Sequence, residues 1–358
     1  MKVCVFGSYE RAYSRNRILI KGLKKSGIEV AENNVNHSFI IRQLTLLKNF
    51  ILNQKDFEFI FIMHTGRKDI ILAFVIAKLF RKKIVFDAFF SGYNTIVETR
   101  KLVNPLSPKA KIYWYVDKIC CLLSDIVLLD TNAHIDYFVK TFHSNPKKFK
   151  RIFIGSDEDI FKPVENTTKS DFNADYFTIW WHGTYIPGHG VDIIIRSAKL
   201  LENYPNIQFL LSGQGQLFDE ITELASSLKL SNVKFNSLGS YEKLASSMRV
   251  ADICLGVFDS SIPKYTWVIP NKCFEAAAMS KPLISGISIG IQEAFTHKEN
   301  IYLCKMSDPE DLANSILELI SKPSLRHSIS QNAYFLFSEN FTSKEIGKKL
   351  KLILDSEN

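Results

Sequence analysis

Short runs of β-branched and aromatic residues alternate with longer stretches of helical periodicity along most of the chain. The strand-like runs are residues 3–6, 57–63, 83–86, 126–129, 176–181, 207–211, 233–235, 253–257 and 282–285. This alternation is typical of parallel strands joined by helical crossovers that cover both faces of a sheet. The sequence therefore predicts an α/β fold built from doubly wound parallel sheets.

A polar stretch, VENTTKSDFNAD at residues 164–175, interrupts the alternation before it restarts. A chain of 358 residues is also longer than one hydrophobic core normally serves. We therefore predict two Rossmann-like domains, residues 1–165 and 166–340, with a hinge at residues 162–175 and a cleft between them.

Composition constrains the partners and the compartment. The net charge of +8 favours anionic partners such as nucleic acid, acidic lipid or a phosphorylated substrate, although solubility alone explains it equally well. The six cysteines lack a paired Cys-x-x-Cys spacing, so we expect a reducing compartment and no metal site. The amino terminus lacks a signal-peptide core, and residues 70–80, the most apolar stretch, fall short of the ~20 residues of a bilayer span. A cytoplasmic protein is predicted.

Two glycine-containing turns follow predicted strands in the second half. Their residues are Gly183, Gly188, His189 and Gly190 in the first turn, and Gly213 and Gly215 in the second. Backbone N–H groups at a helix amino terminus attract anions, so the turns are candidate seats for the diphosphate of a nucleotide. Tight turning alone explains glycine at such positions equally well.

A further polar loop leads through Pro270 and Asn271 into a short helix rich in small residues. Glu275 on this helix is a candidate acceptor for the two ribose hydroxyls, because acidic residues take that role in other nucleotide-binding folds. The ammonium groups of Lys264 and Lys272 are candidates for stabilising the negative charge of a departing diphosphate. A solvated surface charge is the alternative interpretation for Glu275 and Lys264.

Two junctions in the first half also carry polar residues. Gly7 and Ser8 follow the first predicted strand, while Asp130 and His134 follow the strand at 126–129. The carboxyl ends of parallel strands meet at one edge of a sheet, so we assign these residues to an acceptor site or cleft. A tight turn at Gly7, helix capping by Asp130 and Thr131, and partial burial of His134 are the structural alternatives.

Five segments follow one another in the second half: HGTYIPGHGVDIII, LLSGQGQL, ADICLGVF, IPNKCFEAAAMSKPLIS and DPEDLANSILELI. In this order they resemble the carboxyl-terminal half of family 4 glycosyltransferases of the GT-B fold. The first half contains FDAFFSGYNTIVETRK, SDIVLLDTNAHIDYF and IGSDEDIFKP, which are similar to a bacterial polysaccharide-type subgroup.

This resemblance implies a retaining transferase that acts in bacterial surface polysaccharide synthesis. It implies a UDP- or GDP-sugar donor in the carboxyl-terminal domain, a glycan or lipid-linked acceptor in the amino-terminal domain, and no cofactor or metal. It also implies that Glu275 holds the ribose, that Asp87 lines the cleft as a catalytic residue, and that residues 341–358 pack on the first domain.

Three departures from that family are visible. Trp267 stands where the family has the first glutamate of a Glu-seven-residues-Glu pattern that ends at Glu275. His189 replaces the lysine of a Lys-Gly pair, and the arginine usual earlier in that loop is missing. Lys264 and Lys272 are the natural substitutes for the diphosphate contacts, and a protonated His189 would assist because a neighbouring anion raises its pKa. Capping of the following helix explains His189 equally well.

Residues 39–52 predict an amphipathic helix with Ile40 and Leu44 on one face, which fits either an anionic bilayer or a buried core. With the basic residues Arg81–Lys83, it predicts peripheral contact with the inner face of the plasma membrane, beside a lipid-linked acceptor. Nucleic acid is not expected, because no stripe of aromatics interleaved with lysines is seen. The alternative functions are a non-catalytic nucleotide-sugar-binding protein and a GT-B nucleotide-sugar epimerase.

Overall fold

The structure, a computed structural model, describes residues 1–53, 56–163 and 176–357. The chain divides into two compact units: a first unit of Met1–Ile154 with Ser343–Asn358, and a second unit of Gly155–Thr342. The predicted hinge lies outside the described residues from position 164 to its end. Each unit contains a six-stranded parallel sheet, so the doubly wound α/β class predicted from the sequence is confirmed.

The strands run β2-β1-β3-β4-β5-β6 in the first unit and β12-β11-β10-β7-β8-β9 in the second. They are β1 (Lys2–Gly7), β2 (Glu29–Asn34), β3 (Phe59–Ile62), β4 (Lys83–Asp87), β5 (Ile126–Leu129), β6 (Phe149–Arg151), β7 (Phe177–Thr184), β8 (Ile207–Gln214), β9 (Val233–Asn236), β10 (Ile253–Leu255), β11 (Leu283–Gly286) and β12 (Tyr302–Cys304). Central strands are apolar along their whole length because helices cover both faces, as in β3, which reads Phe-Ile-Phe-Ile and is wholly buried.

The α-helices are, in chain order, α1 (Ser14–Lys25), α2 (Phe39–Asn53), α3 (Ile70–Phe80), α4 (Pro108–Leu123), α5 (Asn132–Phe142), α6 (Val191–Leu200), α7 (Phe218–Ser227), α8 (Tyr241–Met248), α9 (Lys264–Trp267), α10 (Asn271–Ala278), α11 (Ile289–Gln292), α12 (Pro309–Ser321), α13 (Pro323–Asn340) and α14 (Ser343–Asp355). Among the described helices, none has the length and apolarity needed to cross a bilayer.

The last helix, α14, returns to the first unit and packs against α1. Gly22 of α1 lies against the backbone of Ser343 and Gly347, and a Cβ atom at either glycine would collide with the facing backbone. Helices α2 to α5 cover the other face of this sheet, where Leu46, Phe50 and the strand residues facing them share one hydrophobic core. The first sheet is therefore enclosed by α1 and α14 on one side and by α2–α5 on the other.

The position of the site in the second unit follows from the strand order. β7 lies between β10 and β8, so the direction in which strands are added reverses at β7. Ligands of doubly wound sheets bind outside the carboxyl ends of the strands at this switch point. The topology therefore predicts a ligand site at the segments after β7 and β10, residues 185–190 and 256–263.

Candidate functional site

The loop after β7 begins where β7 and β8 approach each other closely. Gly183 pairs with Gly213 in the parallel register. Their φ angles are +154° and +157°, and a Cβ atom on Gly213 would collide with the carbonyl oxygen of Gly183. Glycine is required here because the backbone conformation and the close approach both exclude a side chain. The glycine pattern in the sequence therefore marks the edge of the site.

The same loop leads directly into α6. Gly190, at a φ of +69°, occupies the position before the first helical residue and lies against the backbone of Phe258 and Asp259 after β10. The Phe258 amide donates to the carbonyl of His189 over 3.2 Å. Gly188 packs against the ring of Tyr265, and Gly215 against the backbone of Tyr185. The loops after β7, β8 and β10 thus form one packed edge.

Lys272, in the first turn of α10, places a buried ammonium at this edge. Its side chain is 6% exposed, and its Nζ atom has no hydrogen-bond partner among the described residues. Nζ lies 4.4 Å from the ring centroid of Trp181 and would be 3.1 Å from a Cβ atom on Gly183. Burial lowers the pKa of this amine from its ordinary value to about 7. An anion beside Gly183 would supply the partner that the ammonium needs.

Glu275, one turn further along α10, is buried rather than solvated. Its side chain is 3% exposed, and its Oε2 atom lies 2.7 Å from Nε2 of His182. The His182 ring is stacked on Trp180, with 4.6 Å between the ring centroids. His182 immediately precedes Gly183, so this hydrogen bond holds the Glu275 carboxylate next to the glycine loop.

His189 is hydrogen-bonded within its own loop. Its Nδ1 atom lies 2.6 Å from the carbonyl oxygen of Thr184, and so donates to it. Burial and the positive charges of Lys272 and Lys264 hold the pKa of His189 well below its ordinary value. His189 therefore ties the two ends of the loop together, and its contact with phosphate stays a prediction. The alternative that His189 caps α6 is excluded, because Gly190 occupies the cap position.

The other predicted residues of the second unit surround this centre. Pro270 caps α10 and Asn271 begins it, which fixes where Lys272 and Glu275 point. Lys264 begins the short helix α9, and its positive charge contributes to the lowered pKa of His189. The structure therefore brings the glycine loop, Lys272 and Glu275 together and places Lys264 at their border.

In the first unit, Asp87 is wholly buried at the end of β4. Its Oδ1 atom accepts a hydrogen bond from Nη2 of Arg15 over 2.8 Å, and neither side chain has exposed surface. Arg15 also donates to the carbonyls of Ile152 and Phe153 over 2.9 Å. This burial argues against the catalytic role expected for Asp87 and favours a structural role, in which it neutralises Arg15.

Asp130 and His134 bind each other inside the first unit. His134 Nδ1 lies 2.6 Å from Asp130 Oδ1, and each residue is about 1% exposed. Thr131 caps α5 by accepting from the His134 amide over 3.0 Å. The structural alternatives describe this junction: Thr131 caps the helix and His134 is buried, while Asp130 binds the His134 ring.

Ser8 borders a polar cavity of about 520 Å³ at the carboxyl ends of β1 and β3. Gly7, the last residue of β1, lies against the Asp69 side chain. The Ser8 amide donates to Asp69 Oδ2 over 2.9 Å, and Arg42 Nε donates to Asp69 Oδ1 over 2.8 Å. Lys68 also lines the cavity. The buried Asp69 carboxylate therefore fixes one wall of a cavity that is large enough for a sugar residue.

The sequence analysis did not identify three residues of these sites: His182, Asp69 and Arg42. His182 is visible only as a polar residue at the end of an apolar strand, next to the first glycine of the loop. Asp69 and Arg42 give no local signal, because 27 residues separate them in the chain.

Residues 164–335 match the family described as glycosyl transferases group 1. An uncharacterised glycosyltransferase of Methanocaldococcus jannaschii is 28% identical over 233 residues, which are 61% of this chain and 62% of that protein. The N-acetyl-alpha-D-glucosaminyl L-malate synthase of Bacillus anthracis is 24% identical over 45% of this chain and 40% of its own length. The matches therefore span less than two thirds of these relatives.

Solved structures resemble the whole chain. The HepE protein of Anabaena, crystallised with UDP and glucose, has a TM-score of 0.72 at 17% identity, covering 99% of this chain and 100% of that one. Sucrose-phosphate synthase of Thermosynechococcus elongatus has a TM-score of 0.75 at 15% identity, covering 99% and 98%. At such low identity these likenesses show the fold.

Proposed function

We propose that this chain, which has the GT-B fold and whose residues 164–335 belong to the group 1 glycosyltransferases, transfers a sugar from a nucleotide diphosphate donor to an acceptor. The single observation that carries the proposal is the convergence of Gly183, Lys272 and Glu275 at the switch point of the second sheet. A nucleoside diphosphate has the chemical groups that these residues match.

The diphosphate would lie against Gly183, where the buried Lys272 ammonium faces the glycine. A charge-assisted hydrogen bond from a buried ammonium to phosphate is stronger than one between neutral groups. The amino terminus of α10 adds its own N–H groups and dipole on the same side. Together these groups replace the Arg and Lys-Gly pattern that is absent from this sequence.

The nucleoside would be held through its ribose. Glu275 accepts from His182 through Oε2, so the histidine fixes the orientation of the carboxylate. A carboxylate fixed in this way at the end of a strand is suited to accept hydrogen bonds from the 2′- and 3′-hydroxyls. We propose UDP or GDP as the nucleotide; the UDP in the related Anabaena structure supports the former.

Breaking the bond between sugar and diphosphate leaves negative charge on the departing oxygen. Lys272 stabilises that charge in a site from which water is largely excluded, and Lys264 contributes from the border. Because amines supply this stabilisation, we propose that no metal is required and that activity persists in EDTA. Loss of turnover that Mg²⁺ or Mn²⁺ restores would contradict this point.

We propose retention of the anomeric configuration and an acceptor that is a glycan or a lipid-linked sugar of surface polysaccharide synthesis. The polar cavity beside Ser8, Arg42 and Lys68 is the proposed acceptor site in the first unit. Contact with the inner face of the plasma membrane would bring a lipid-linked acceptor to this cavity.

Incubation with UDP- and GDP-sugars, followed by measurement of nucleotide release and analysis of the sugar product, tests the proposal. We expect release with one donor, and we expect Lys272→Met to lower kcat about 100-fold or more. Lys305→Met is the matched control, because that lysine is 75% exposed in the same unit. A thermal shift without release would indicate a non-catalytic binding protein, and an epimerised sugar formed without acceptor would indicate an epimerase.

A further inference from the structure

Three helices on one face of the first unit expose apolar side chains to solvent. We call this set, formed by α2, α3 and α4 with the loop before α4, the apolar helix face. Its large exposed residues are Phe39, Ile40, Ile41, Leu44, Ile51 and Leu52 on α2, Ile71, Val75, Leu79 and Phe80 on α3, and Leu102, Leu106, Ile112, Tyr115, Ile119 and Leu122 around α4. Scattered exposed apolar residues are ordinary, but stripes on three adjacent helices indicate a surface that contacts something.

The exposed stripes point away from the sheet. The opposite sides of the same helices, including Phe50, Ala73 and Cys120, belong to the core that covers the sheet. On α3 the exposed residues Ile71, Val75 and Leu79 follow at intervals of four, which places them on one side of the helix. The helices are neighbours, since α3 contacts α4 and the rings of Phe50 and Phe80 lie 5.0 Å apart. Core packing therefore accounts for only one side of these helices.

The charges of this face are predominantly positive. Asp117 is the only carboxylate within the three helices, and it is buried against Ser91 and Arg67. The cations on or directly after these helices are Arg42, Lys48, Lys78, Arg81, Lys82, Lys109, Lys111 and Lys118. Arg42 is paired with Asp69, and the carboxylates directly after these helices are Asp56 and Asp125. An apolar surface bordered mainly by cations complements a layer that is apolar inside and anionic at its surface.

We propose that the apolar helix face docks on an anionic lipid bilayer. Leucine and isoleucine side chains enter the boundary between headgroups and acyl chains, and the lysines contact lipid phosphates. A second copy of this chain is a poor occupant, because face-to-face pairing would bring like charges together. The proposal goes beyond the amphipathic helix at 39–52, since α3 and α4 supply much of the exposed surface.

This inference rests on the proposed function in one respect, the lipid-linked acceptor. Arg42 belongs to α2 and also lines the polar cavity beside Ser8. Docking through α2 would therefore place the cavity next to the membrane surface, where the headgroup of a lipid-linked sugar lies. The face gives the enzyme access to an acceptor that cannot leave the bilayer.

Sedimentation of the full chain with vesicles tests the proposal. We expect the protein to pellet with phosphatidylcholine vesicles that contain about 30% phosphatidylglycerol, at about 0.05 M salt. Binding to vesicles of pure phosphatidylcholine should be about tenfold weaker. Each basic residue near such a surface contributes about fivefold to binding, and screening at 0.5 M salt should remove most of it. Absence of binding to the anionic vesicles at low salt would overturn the proposal.

Variants locate the contact. We expect the double variant Leu44→Glu/Leu79→Glu to lower vesicle binding about tenfold, because it places carboxylates at the centre of the face. Leu352→Glu is the matched control, since Leu352 is 69% exposed on α14, on the other side of the same sheet. Leu106→Glu is a second variant of the face, at a loop position that is 89% exposed, so it does not affect helix packing. It should also lower vesicle binding.

Measurements with nucleotide separate membrane docking from donor binding and turnover. The thermal shift produced by UDP should be unchanged in all three variants, because their substitutions lie in the first unit. Equal vesicle binding by the wild type and both face variants would overturn the inference, as would a concentration-dependent dimer that Leu106→Glu dissolves. Failure of nucleotide release with every donor would overturn the proposed function and leave the vesicle result standing.

Discussion

The imidazole of His182, at the end of β7, holds the carboxylate of Glu275 on α10 across 2.7 Å, although 93 residues separate them in the chain. This contact joins the glycine loop to the helix that carries Lys272. A positioning residue of this kind acts through its partner rather than on the substrate. The pair therefore predicts a defect in nucleotide binding when either residue is changed.

We expect Glu275→Gln to weaken UDP or GDP binding about tenfold or more, because hydrogen bonds to a charged group contribute about 1.5–3 kcal/mol. The amide keeps the shape of the side chain, so the melting temperature should change little. Isothermal titration with the nucleotide, together with a thermal melt, checks both parts. Equal losses of binding and stability would identify Glu275 as a structural residue. His182→Asn should give a weaker version of the same binding defect.

We expect the buried Lys272 ammonium to lower the free energy of unfolding, although it contributes to donor binding. Its folded-state pKa of about 7 lies below its ordinary value, so between these values the unfolded chain holds more protons. Stability should therefore rise with pH across that window and be lowest below pH 7, where the buried amine must be charged. Removing the amine with Lys272→Met should raise the free energy of unfolding at pH 7 by about 1–4 kcal/mol.

Denaturant unfolding of Lys272→Met and of the exposed control Lys305→Met measures this difference. The gain should be largest at acidic pH, and it should accompany the loss of donor binding. A Lys272→Met variant that is less stable than the wild type would show that packing of the lysine stem outweighs the buried charge.

The same pKa predicts how activity depends on pH. The ammonium form binds phosphate, and kcat/KM reports the free enzyme, so kcat/KM should fall as pH rises through about 7. Lys272→Arg keeps its charge across this range and should flatten that limb, even if its absolute rate is lower. Initial rates from pH 6 to 9 in both proteins decide the point. An identical fall in the arginine variant would assign the titration to another group.

The sequence predicted those parts of the site that depend on neighbouring residues. Gly183 and Gly213 stand at the ends of β7 and β8, and Gly190 precedes α6. Lys272 and Glu275 share one helix face because they are three residues apart. Long-range partners stayed hidden: nothing in the local sequence pairs His182 with Glu275, or Arg15 with Asp87. A residue type at a strand end indicates a position, whereas burial and pairing depend on segments that only the fold brings together.

The apolar character of α3 illustrates the same limit. Its sequence, IILAFVIAKLF, contains too few polar residues to distinguish a core side from a solvent side. Only the structure shows that Ala73, Ile76 and Ala77 are buried while Ile71 and Leu79 are exposed. Periodicity locates a helix face when polar residues mark the opposite side, and here they do not.

The buried pair of Asp87 and Arg15 supports a prediction about stability in the first unit. Asp87→Asn removes the charge that Arg15 faces at 2.8 Å, which leaves a buried guanidinium without its counterion. Breaking such a pair typically costs about 3–5 kcal/mol, so the melting temperature should fall sharply. Replacing both residues, as Arg15→Met/Asp87→Leu, removes both charges and should cost less than the single change. Urea unfolding of the three proteins measures the difference, and nucleotide release from the folded fraction measures the chemistry. If Asp87→Asn kept its stability and lost its turnover, Asp87 would be catalytic, as the family resemblance implied.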